Sequence, residues 1–411
     1  MLVFWCAYRQ YLYARSLVAA YLSVAEMLFD APTLDAQEEW VLQSVTDLRG
    51  RLSSVVREPR RWVGVLRRVS LARAIQGSNS IEGHNVALDD AVAAADDEEP
   101  LDAQRETWMA VLGYRDAMTY VLQLADDPRV TLDESLVRSL HLMMLKHDLL
   151  KSPGRWRPGT VYVRSDETGE IVYEGPDAGE VPSLMAELMS RLGSASFEPT
   201  MIRAAMAHLN LLMIHPFRDG NGRMARCLQS LVLARDGILS PHFCSVEEYL
   251  GRNAEAYYDV LRAVGAGRWH PEGDARPWIR FMLTAHYGQA RTLLRRTEDS
   301  EMRWGEAQAM VERSGLPDRA TSVLFNASLG LRIRNLTYRG ETGVSDQVAS
   351  RDLRLLVDAG YLEARGERRG RFYVRAGLLE ELDARIRARY SPRTQDDPFV
   401  LAAEAVHQPR P

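Results

Sequence analysis

Apolar residues recur at every third or fourth position through most of the chain, which is the spacing of one buried helix face. The clearest runs are WMAVLGYRDAMTYVLQLA, TMIRAAMAHLNLLMI and CLQSLVLARDG. Within residues 153–176 the texture changes, because the β-prone runs TVYV and EIVYE flank an Asp-Glu-Thr-Gly turn. This pattern predicts a β-hairpin in an otherwise mainly α chain.

A second change of pattern lies in residues 332–375, which hold ten arginines against six acidic residues. Ser345 suits a helix N-cap, and an apolar stripe follows it at Ala349, Leu353, Leu356 and Val357. The run EARGERRGRFYV then predicts two strands around a basic turn.

This order of elements is typical of a winged helix-turn-helix. The side chains predicted to face outward from its recognition helix are Gln347, Ser350, Arg351 and Arg354. Phosphate contact is expected from the wing residues Arg365, Arg368, Arg369 and Arg371. Winged helices also serve as docking or dimer modules, so both DNA and protein partners stay open.

Length and composition indicate a soluble protein of two or three domains. The 411 residues are 46% hydrophobic and 26% charged, with a formal net charge of −5, so no whole-chain basic field points to nucleic acid. The three cysteines, Cys6, Cys227 and Cys244, are too scattered for a disulfide framework or a metal site. A reducing, cytoplasmic location is the expectation.

The first 29 residues are strongly apolar. Arg9, Arg15 and Glu26 interrupt every window long enough to span a bilayer, so we interpret this stretch as buried helix, with no membrane association. A signal anchor is the alternative, because the opening residues would also fit an extension from a misplaced start codon.

The stretch HPFRDGNGRMAR, residues 215–226, concentrates the candidate chemistry. A Gly-Asn-Gly turn that opens a helix exposes backbone N–H groups beside the positive end of the helix dipole, which favours phosphates. Arg223 and Arg226 lie one turn apart and suit phosphate oxygens. Asp219 is a hard oxygen ligand for Mg²⁺, and His215 is a base. Together they favour phosphoryl or nucleotidyl transfer.

Parts of this stretch also fit two other interpretations. GNGRMA matches the dinucleotide fingerprint G-x-G-x-x-A, but that fingerprint needs a preceding strand, and here a helix-period segment precedes it. Taken singly, a histidine at a helix end is more often a cap, and paired arginines are more often a solvated face.

The same stretch resembles the signature of the Fic family, HxFx(D/E)GNGRxxR, at all eight fixed positions: His215, Phe217, Asp219, Gly220, Asn221, Gly222, Arg223 and Arg226. The resemblance implies a helical core and an enzyme that moves AMP from ATP to a Ser, Thr or Tyr hydroxyl of a protein. It implies that His215 is the base and that Asp219 binds Mg²⁺. Because Gly222 is kept where the related Doc-like kinases carry lysine, AMP transfer is favoured over phosphate transfer.

Further roles follow from the resemblance. Gly220, Asn221 and Gly222 are expected to form an anion hole, with Arg223 and Arg226 on the β and γ phosphates. The hairpin is expected to be a flap on which the target protein docks as an added strand. Tyr257 and Tyr258 resemble a tyrosine pair that family members place near the base and ribose.

An upstream window, SNSIEGHN (78–85), contains Ser78, Glu82 and Gly83, which match the (S/T)xxxE(G/N) motif of the inhibitory helix of many Fic proteins. The resemblance implies that Glu82 pairs with Arg226 and so takes the partner that the γ phosphate of ATP needs. A glutamate so placed also aligns water for AMP removal in bifunctional relatives, and that activity stays open.

The predicted organisation is an N-terminal helical region with the inhibitory helix (1–110), a Fic core with flap (111–300), a winged helix-like domain (315–380) and a flexible tail (392–411). A homodimer is left open. The rival hypothesis for the whole protein is a DNA-binding transcription regulator whose Fic core only senses nucleotide. The intact His215 favours the enzyme, because a sensor does not need a base.

Overall fold

A computed structural model describes residues 28–57, 60–164, 168–194, 196–238, 245–367, 370–389 and 397–407. The N-terminal helix predicted for the first 29 residues lies almost wholly outside the described residues. So do Cys6, Cys244, Arg368 and Arg369.

The described chain is mainly helical, which confirms the predicted fold class. The helices of the N-terminal region and the central core are α1 Ala36–Arg57, α2 Val63–Ile81, α3 Leu88–Ala95, α4 Arg105–Leu124, α5 Glu134–Leu145, α6 Val181–Gly193, α7 Thr200–Ile214, α8 Asn221–Arg235, α9 Glu247–Arg252, α10 Ala254–Gly265 and α11 Arg276–Arg313. Those further along are α12 Ala320–Ser328, α13 Asn335–Thr342, α14 Asp346–Asp358, α15 Leu378–Ala388 and α16 Pro398–His407. A short 3₁₀ turn spans Leu149–Lys151.

Two antiparallel hairpins accompany these helices. In the first, β1 Tyr162–Arg164 pairs with β2 Ile171–Glu174, where the sequence predicts a hairpin. In the second, β3 Leu362–Arg365 pairs with β4 Phe372–Arg375.

The core is built around α7 and α8, which pack against each other. Twelve of the fifteen residues of α7 are buried, because its sequence is apolar on every face. Trp278 of α11 donates from its indole N–H to the Ala205 carbonyl at 2.8 Å and so fixes α11 on α7. The loop that joins α7 to α8 carries residues 215–220, so the predicted motif starts from a rigid support.

Helix α2 crosses α9 at backbone contact. A methyl group on Gly77 of α2 would overlap the Glu247 carbonyl group, and one on Gly251 would meet the backbone of Gly77. Glycine at both positions therefore lets the end of α2, with Ser78, lie deep against the core.

The C-terminal region has the element order α12, a β-bridge between Ile333 and Tyr373, α13, α14 and the β3–β4 hairpin. The predicted apolar stripe of α14 is buried at Ala349, Leu353 and Leu356. The Ser345 hydroxyl accepts a long hydrogen bond, 3.4 Å, from the Val348 N–H, as expected of an N-cap.

Part of the predicted flexible tail is folded. Residues 398–407 form α16, which packs on α1 with Ala402 fully buried. The Arg280 guanidinium lies 4.8 Å from the centre of the Phe399 ring, a cation–π contact that the apolar run FVLAA did not reveal. Within the described ranges no helix combines the length and apolarity needed to cross a bilayer.

Buried histidines predict acid sensitivity. Burial lowers the pKa of His208 and His286 to about 3, and that of His141 to about 4. As pH falls below about 6.5 the unfolded chain binds protons at these rings and the folded chain does not. Each ring therefore lowers the free energy of unfolding by about 1.4 kcal/mol per pH unit until its folded pKa is reached.

Urea unfolding between pH 7 and pH 4.5 measures this effect. We expect His286→Leu to make stability fall less steeply with acid, by about 1.4 kcal/mol per pH unit. The matched control is His407→Leu, at an exposed histidine, and should keep the wild-type slope. An unchanged slope in the His286 variant would contradict the assignment.

Candidate active site

His215 ends α7 in the left-handed conformation, with φ 51° and ψ 57°. Its ring Nδ1 lies 3.2 Å from the Leu212 carbonyl oxygen. Because a carbonyl only accepts, the neutral ring carries its proton on Nδ1 and leaves the Nε2 lone pair available. Burial lowers the pKa of His215 to about 4. The ring is thus an unprotonated base at neutral pH.

Arg157 fixes the loop that carries His215. This arginine is buried, and its guanidinium donates to the carbonyls of His215 (2.9 Å), Gly159 (2.6 Å) and Pro176 (2.5 Å). It therefore joins the base of the β1–β2 hairpin to the motif. Sequence reasoning missed Arg157, because its partners are backbone carbonyls that leave no pattern in the sequence.

His141 of α5 supports the other end of the loop. Its Nδ1 accepts from the Gly154 N–H at 2.9 Å, so Nε2 carries the proton and donates to the Asp219 carbonyl at 2.9 Å. The ring stacks on Phe217 at 3.6 Å, nearly parallel. His141 was also missed, although Phe217 was recognised as part of the motif.

The Gly-Asn-Gly turn opens α8 as predicted. Gly220 adopts a positive φ of 75°, which favours glycine, and the Met224 N–H is bonded to its carbonyl. The N–H groups of the residues between them belong to the first helical turn, which suits an anion. The Asn221 side chain has a different task, because its amide bonds both the N–H and the carbonyl of Phe217 at 2.9 Å.

Arg223 and Arg226 are both buried, at 3% and 1% exposure. Arg223 Nε and Nη1, and Arg226 Nη1, have no hydrogen-bond partner among the described residues. Buried cationic donors without partners are costly unless an anion binds them. The phosphates of a nucleotide fit this requirement.

Ser78 and Glu82, at the C-terminal end of α2, accept hydrogen bonds from Arg226. Arg226 Nε donates to the Ser78 hydroxyl at 2.8 Å, and Nη2 donates to the Ser78 carbonyl at 3.0 Å and to Glu82 Oε1 at 2.7 Å. Burial disfavours the charge of Arg226 and would lower its pKa. The attraction of the Glu82 carboxylate outweighs this effect, so the pKa of the guanidinium is raised.

The Glu82 carboxylate also lies against Gly222. A methyl group on Gly222 would overlap Glu82 Oε1, so this carboxylate stands over the first turn of α8. Gly83, with φ 81°, ends α2 just beyond it. The structure thus brings Ser78 and Glu82 to the motif, although 144 residues separate Glu82 from Arg226 in the sequence.

Asp219 is half-buried beside the turn. Its Oδ1 accepts from the Gly220 N–H at 2.7 Å, and Oδ2 lies 3.1 Å from Lys151 Nζ. Burial alone would raise the pKa of Asp219, but Lys151 and the Gly220 N–H lower it on balance. The carboxylate is therefore ionised and suits a cation such as Mg²⁺.

Asp219 is the candidate carboxylate ligand at this turn. No group of three or more His, Cys, Asp or Glu side chains suited to a metal occurs among the described residues. A Mg²⁺ ion at Asp219 would need further oxygens, which nucleotide phosphates provide.

The two tyrosines of the predicted pair, Tyr257 and Tyr258, differ in burial. Tyr257 is 1% exposed, and its hydroxyl lies 3.0 Å from His208 Nε2 inside the core. The expected nucleotide contact is not supported at that position. Tyr258 is 45% exposed and donates to the Ile81 carbonyl at the end of α2 (3.1 Å).

The β1–β2 hairpin lies next to the loop that carries His215. Tyr173 of β2 points inward, and its hydroxyl donates to the Met213 carbonyl at 2.7 Å, two residues before His215. Tyr162 and Ile171 are exposed on the hairpin.

The predicted recognition helix presents Gln347, Arg351 and Arg354 to solvent. Ser350 is half-buried, and its hydroxyl accepts from Asn335 Nδ2 at 2.9 Å. In the hairpin that the sequence predicts to be a wing, Arg365 is paired with Glu363 at 3.1 Å, and Arg371 is exposed.

Residues 131–233 match the Fic/DOC family, a span that includes the hairpin and the whole motif. Protein adenylyltransferase Fic of Aedes aegypti is 34% identical over 177 residues, which are 42% of this chain and 31% of that protein. The Culex quinquefasciatus protein of the same name is 30% identical over 213 residues, 51% of this chain and 38% of that protein. The chain thus spans well under half the length of these curated relatives.

The fold also matches a solved structure. A Fic family protein from Desulfovibrio desulfuricans G20 superposes with a TM-score of 0.54 at 23% identity, covering 85% of this chain and 99% of that one. Residues 131–233 are thus similar to the Fic/DOC family, and the resemblance seen in the motif is confirmed.

The protonation state of the His215 ring can be measured directly. From a pKa near 4 we expect the His215 ring to stay neutral down to about pH 5. Proton NMR of the histidine ring signals follows the titration, and the signal missing in His215→Ala identifies the residue. A midpoint near 6.5 would contradict the lowered pKa of this Nδ1-protonated ring.

Proposed function

We propose that this protein is a protein adenylyltransferase that transfers AMP from ATP to a Ser, Thr or Tyr hydroxyl of a target protein or of itself, and that Glu82 inhibits it. The observation that carries the proposal is the contact of the Glu82 carboxylate with Arg226, beside partnerless donors of Arg223 and a base at His215. The adenylyltransferase names of the relatives support the reaction class.

In the proposed reaction the target hydroxyl oxygen attacks the α phosphorus of ATP. A new P–O bond forms to the hydroxyl oxygen, the bond between the α phosphorus and the bridging oxygen breaks, and pyrophosphate leaves. His215 Nε2 accepts the hydroxyl proton, which its Nδ1 bond to Leu212 leaves it free to do. Arg157 positions the ring by holding the loop backbone.

The leaving pyrophosphate needs positive partners. Arg223 and Arg226 provide them, together with the first-turn N–H groups of α8. Mg²⁺, when bound by Asp219 and the phosphates, supplies charge neutralisation. Lys151 already pairs with Asp219, so it must shift or exchange its partner when the metal binds.

Inhibition follows from competition for one guanidinium. Arg226 gives three hydrogen bonds to Ser78 and Glu82, and the Glu82 carboxylate would repel a γ phosphate brought to the same arginine. ATP would therefore bind weakly or with its α phosphorus misaligned. Tyr258 adds a tie between α10 and the end of α2.

The target is proposed to dock at the hairpin by strand addition. Tyr162 and Ile171 present apolar side chains there. Leu149 and Leu150, at 74% and 84% exposure, add an apolar patch next to Lys151. An extended target segment would thus find both backbone and apolar contacts near His215.

Transfer of label from α-³²P-ATP to protein tests the proposal, with Mg²⁺ and with or without cell lysate. Glu82→Gly should raise labelling about 10- to 100-fold, since it removes a charge-assisted hydrogen bond of roughly 1.5–3 kcal/mol from Arg226. His215→Ala should abolish labelling in either background.

The matched control is Glu99→Gly, which removes an exposed glutamate from the loop after α3 and should behave as wild type. Equal labelling by wild type and Glu82→Gly would contradict the inhibitory role of Glu82. No labelling in any sample would contradict the proposed transferase activity.

A second candidate function, DNA binding, rests on the C-terminal region. The order helix, bridge, two helices and hairpin resembles a winged helix, and α14 exposes Arg351 and Arg354 opposite its buried stripe. In this candidate the Fic domain would report nucleotide state to a DNA-binding regulator.

Binding to a 20-base-pair duplex checks this candidate. The double variant Arg351→Ala/Arg354→Ala should weaken affinity and reduce the salt slope by about 2, roughly 0.9 for each lost phosphate contact. The exposed Arg313, at the end of α11, gives a control substitution to alanine. Equal affinity and slope in all three proteins would count against DNA contact by α14.

A further inference from the structure

A basic cavity lies between α2, α11 and α15. Its volume is about 420 Å³, within the range of small-molecule sites. Six arginines line it: Arg73, Arg252, Arg295, Arg296, Arg303 and Arg387. None of its lining residues belongs to the site described above.

Glu248 is one of two buried carboxylates that serve these arginines. Both of its oxygens accept from Arg296 at 2.6 Å, and the same carboxylate pairs with Arg252 at 2.6 Å and with Arg73 at 3.8 Å. One negative charge is thus divided among three guanidinium groups.

Asp383 is the other. It pairs with Arg303 at 2.7 Å, Arg387 at 2.8 Å and Arg375 at 3.0 Å. Asp299 also lines the cavity. Counting only the residues that the structure describes, the six arginines of the lining outnumber the three carboxylates Glu248, Asp299 and Asp383, which gives this lining an excess of positive charge.

Arg73 shows the cost of this excess. Its Nε is buried and has no hydrogen-bond partner within the described part of the chain. Burial, with repulsion from Arg296 and Arg252, lowers the pKa of Arg73 to about 10. An anion beside Arg73 would remove both penalties.

The lining also has an apolar side, formed by Leu66, Val69, Leu329 and Ile386. Val69 and Leu66 lie on α2, one and two turns before Arg73 respectively, so one face of that helix supplies apolar and cationic contacts together. Such a lining suits a molecule with both an organic portion and charged groups.

We propose that this cavity binds a small molecule that carries two or more phosphate groups, held chiefly by Arg73, Arg295 and Arg387. The ligand bridges α2, α11 and α15. Because α2 carries Glu82 at its end, a ligand bound here holds that helix against the core and deepens the inhibited state. This last consequence rests on the proposed function, whereas binding itself does not.

Calorimetric titration of the full chain with sodium tripolyphosphate, without Mg²⁺, tests the site. Arg295→Ala and Arg387→Ala should each weaken binding about tenfold or more, the effect of losing one charge-assisted hydrogen bond. Arg387 is 71% exposed, so its replacement keeps the fold even if the Arg295 variant does not.

Two control variants locate the binding. Arg291→Ala lies on α11 one turn before Arg295, is exposed, and does not line the cavity, so it should bind as wild type. Arg223→Ala removes the motif arginine and should keep this binding event. Loss of binding in Arg223→Ala with full binding in Arg295→Ala and Arg387→Ala would overturn the proposal, as would no saturable binding in wild type.

The link to inhibition has a separate readout. Tripolyphosphate should slow labelling by the wild type more than labelling by Arg295→Ala at equal ATP. Equal slowing of labelling in both proteins would contradict the proposed effect of the cavity on inhibition. Binding at the cavity would then be judged by calorimetry alone. Absence of labelling in every sample would instead remove the proposed transferase.

Discussion

The pairing of Arg226 with Glu82 and Ser78 is the interaction on which the site depends. Arg226 is 1% exposed, so its charge must be matched within the protein or by a bound anion. Glu82 supplies that match at 2.7 Å and at the same time lies over Gly222 in the first turn of α8. In the proposed function, a nucleotide phosphate and the Glu82 carboxylate compete for this one buried cation.

The contact of Arg226 with Ser78 and Glu82 depends on backbone geometry that is distant from the motif in the sequence. Glycines at 77 and 251 let α2 approach α9 without side chains between them, which brings Ser78 to full burial. The cavity between α2, α11 and α15 lies along the same helix. The lining residues Leu66, Val69 and Arg73 therefore lie on the same helix that ends at Glu82.

Ion pairs join the C-terminal region to α2 and to the acidic loop after α3. Arg68 of α2 pairs with Glu341 of α13 at 2.6 Å, and Arg332 pairs with Asp102 at 2.6 Å. Burial raises the pKa of Asp96 to about 6, although Arg68 opposes the shift. The acidic stretch after α3, which has little meaning in the sequence alone, is therefore a partner of the basic C-terminal arginines.

Much of the site could be predicted from the sequence because its residues lie in short motifs. The motif at 215–226, the hairpin and the Ser78–Glu82 window each carry their own pattern. Arg157, His141 and Lys151 could not be predicted, since their partners are backbone carbonyls or a carboxylate distant in sequence. For the tyrosine pair, neighbours on a helix point about 100° apart, so Tyr257 fills the core while Tyr258 faces outward.

The most direct test is a crystal structure of the Glu82→Gly, His215→Ala protein with ATP and Mg²⁺. We expect the γ phosphate to take the position now held by the Glu82 carboxylate and to accept hydrogen bonds from Arg226. The α phosphorus should then lie beside residue 215. Phosphates bound away from Arg223 and Arg226, with Arg226 still bonded only to Ser78, would contradict it.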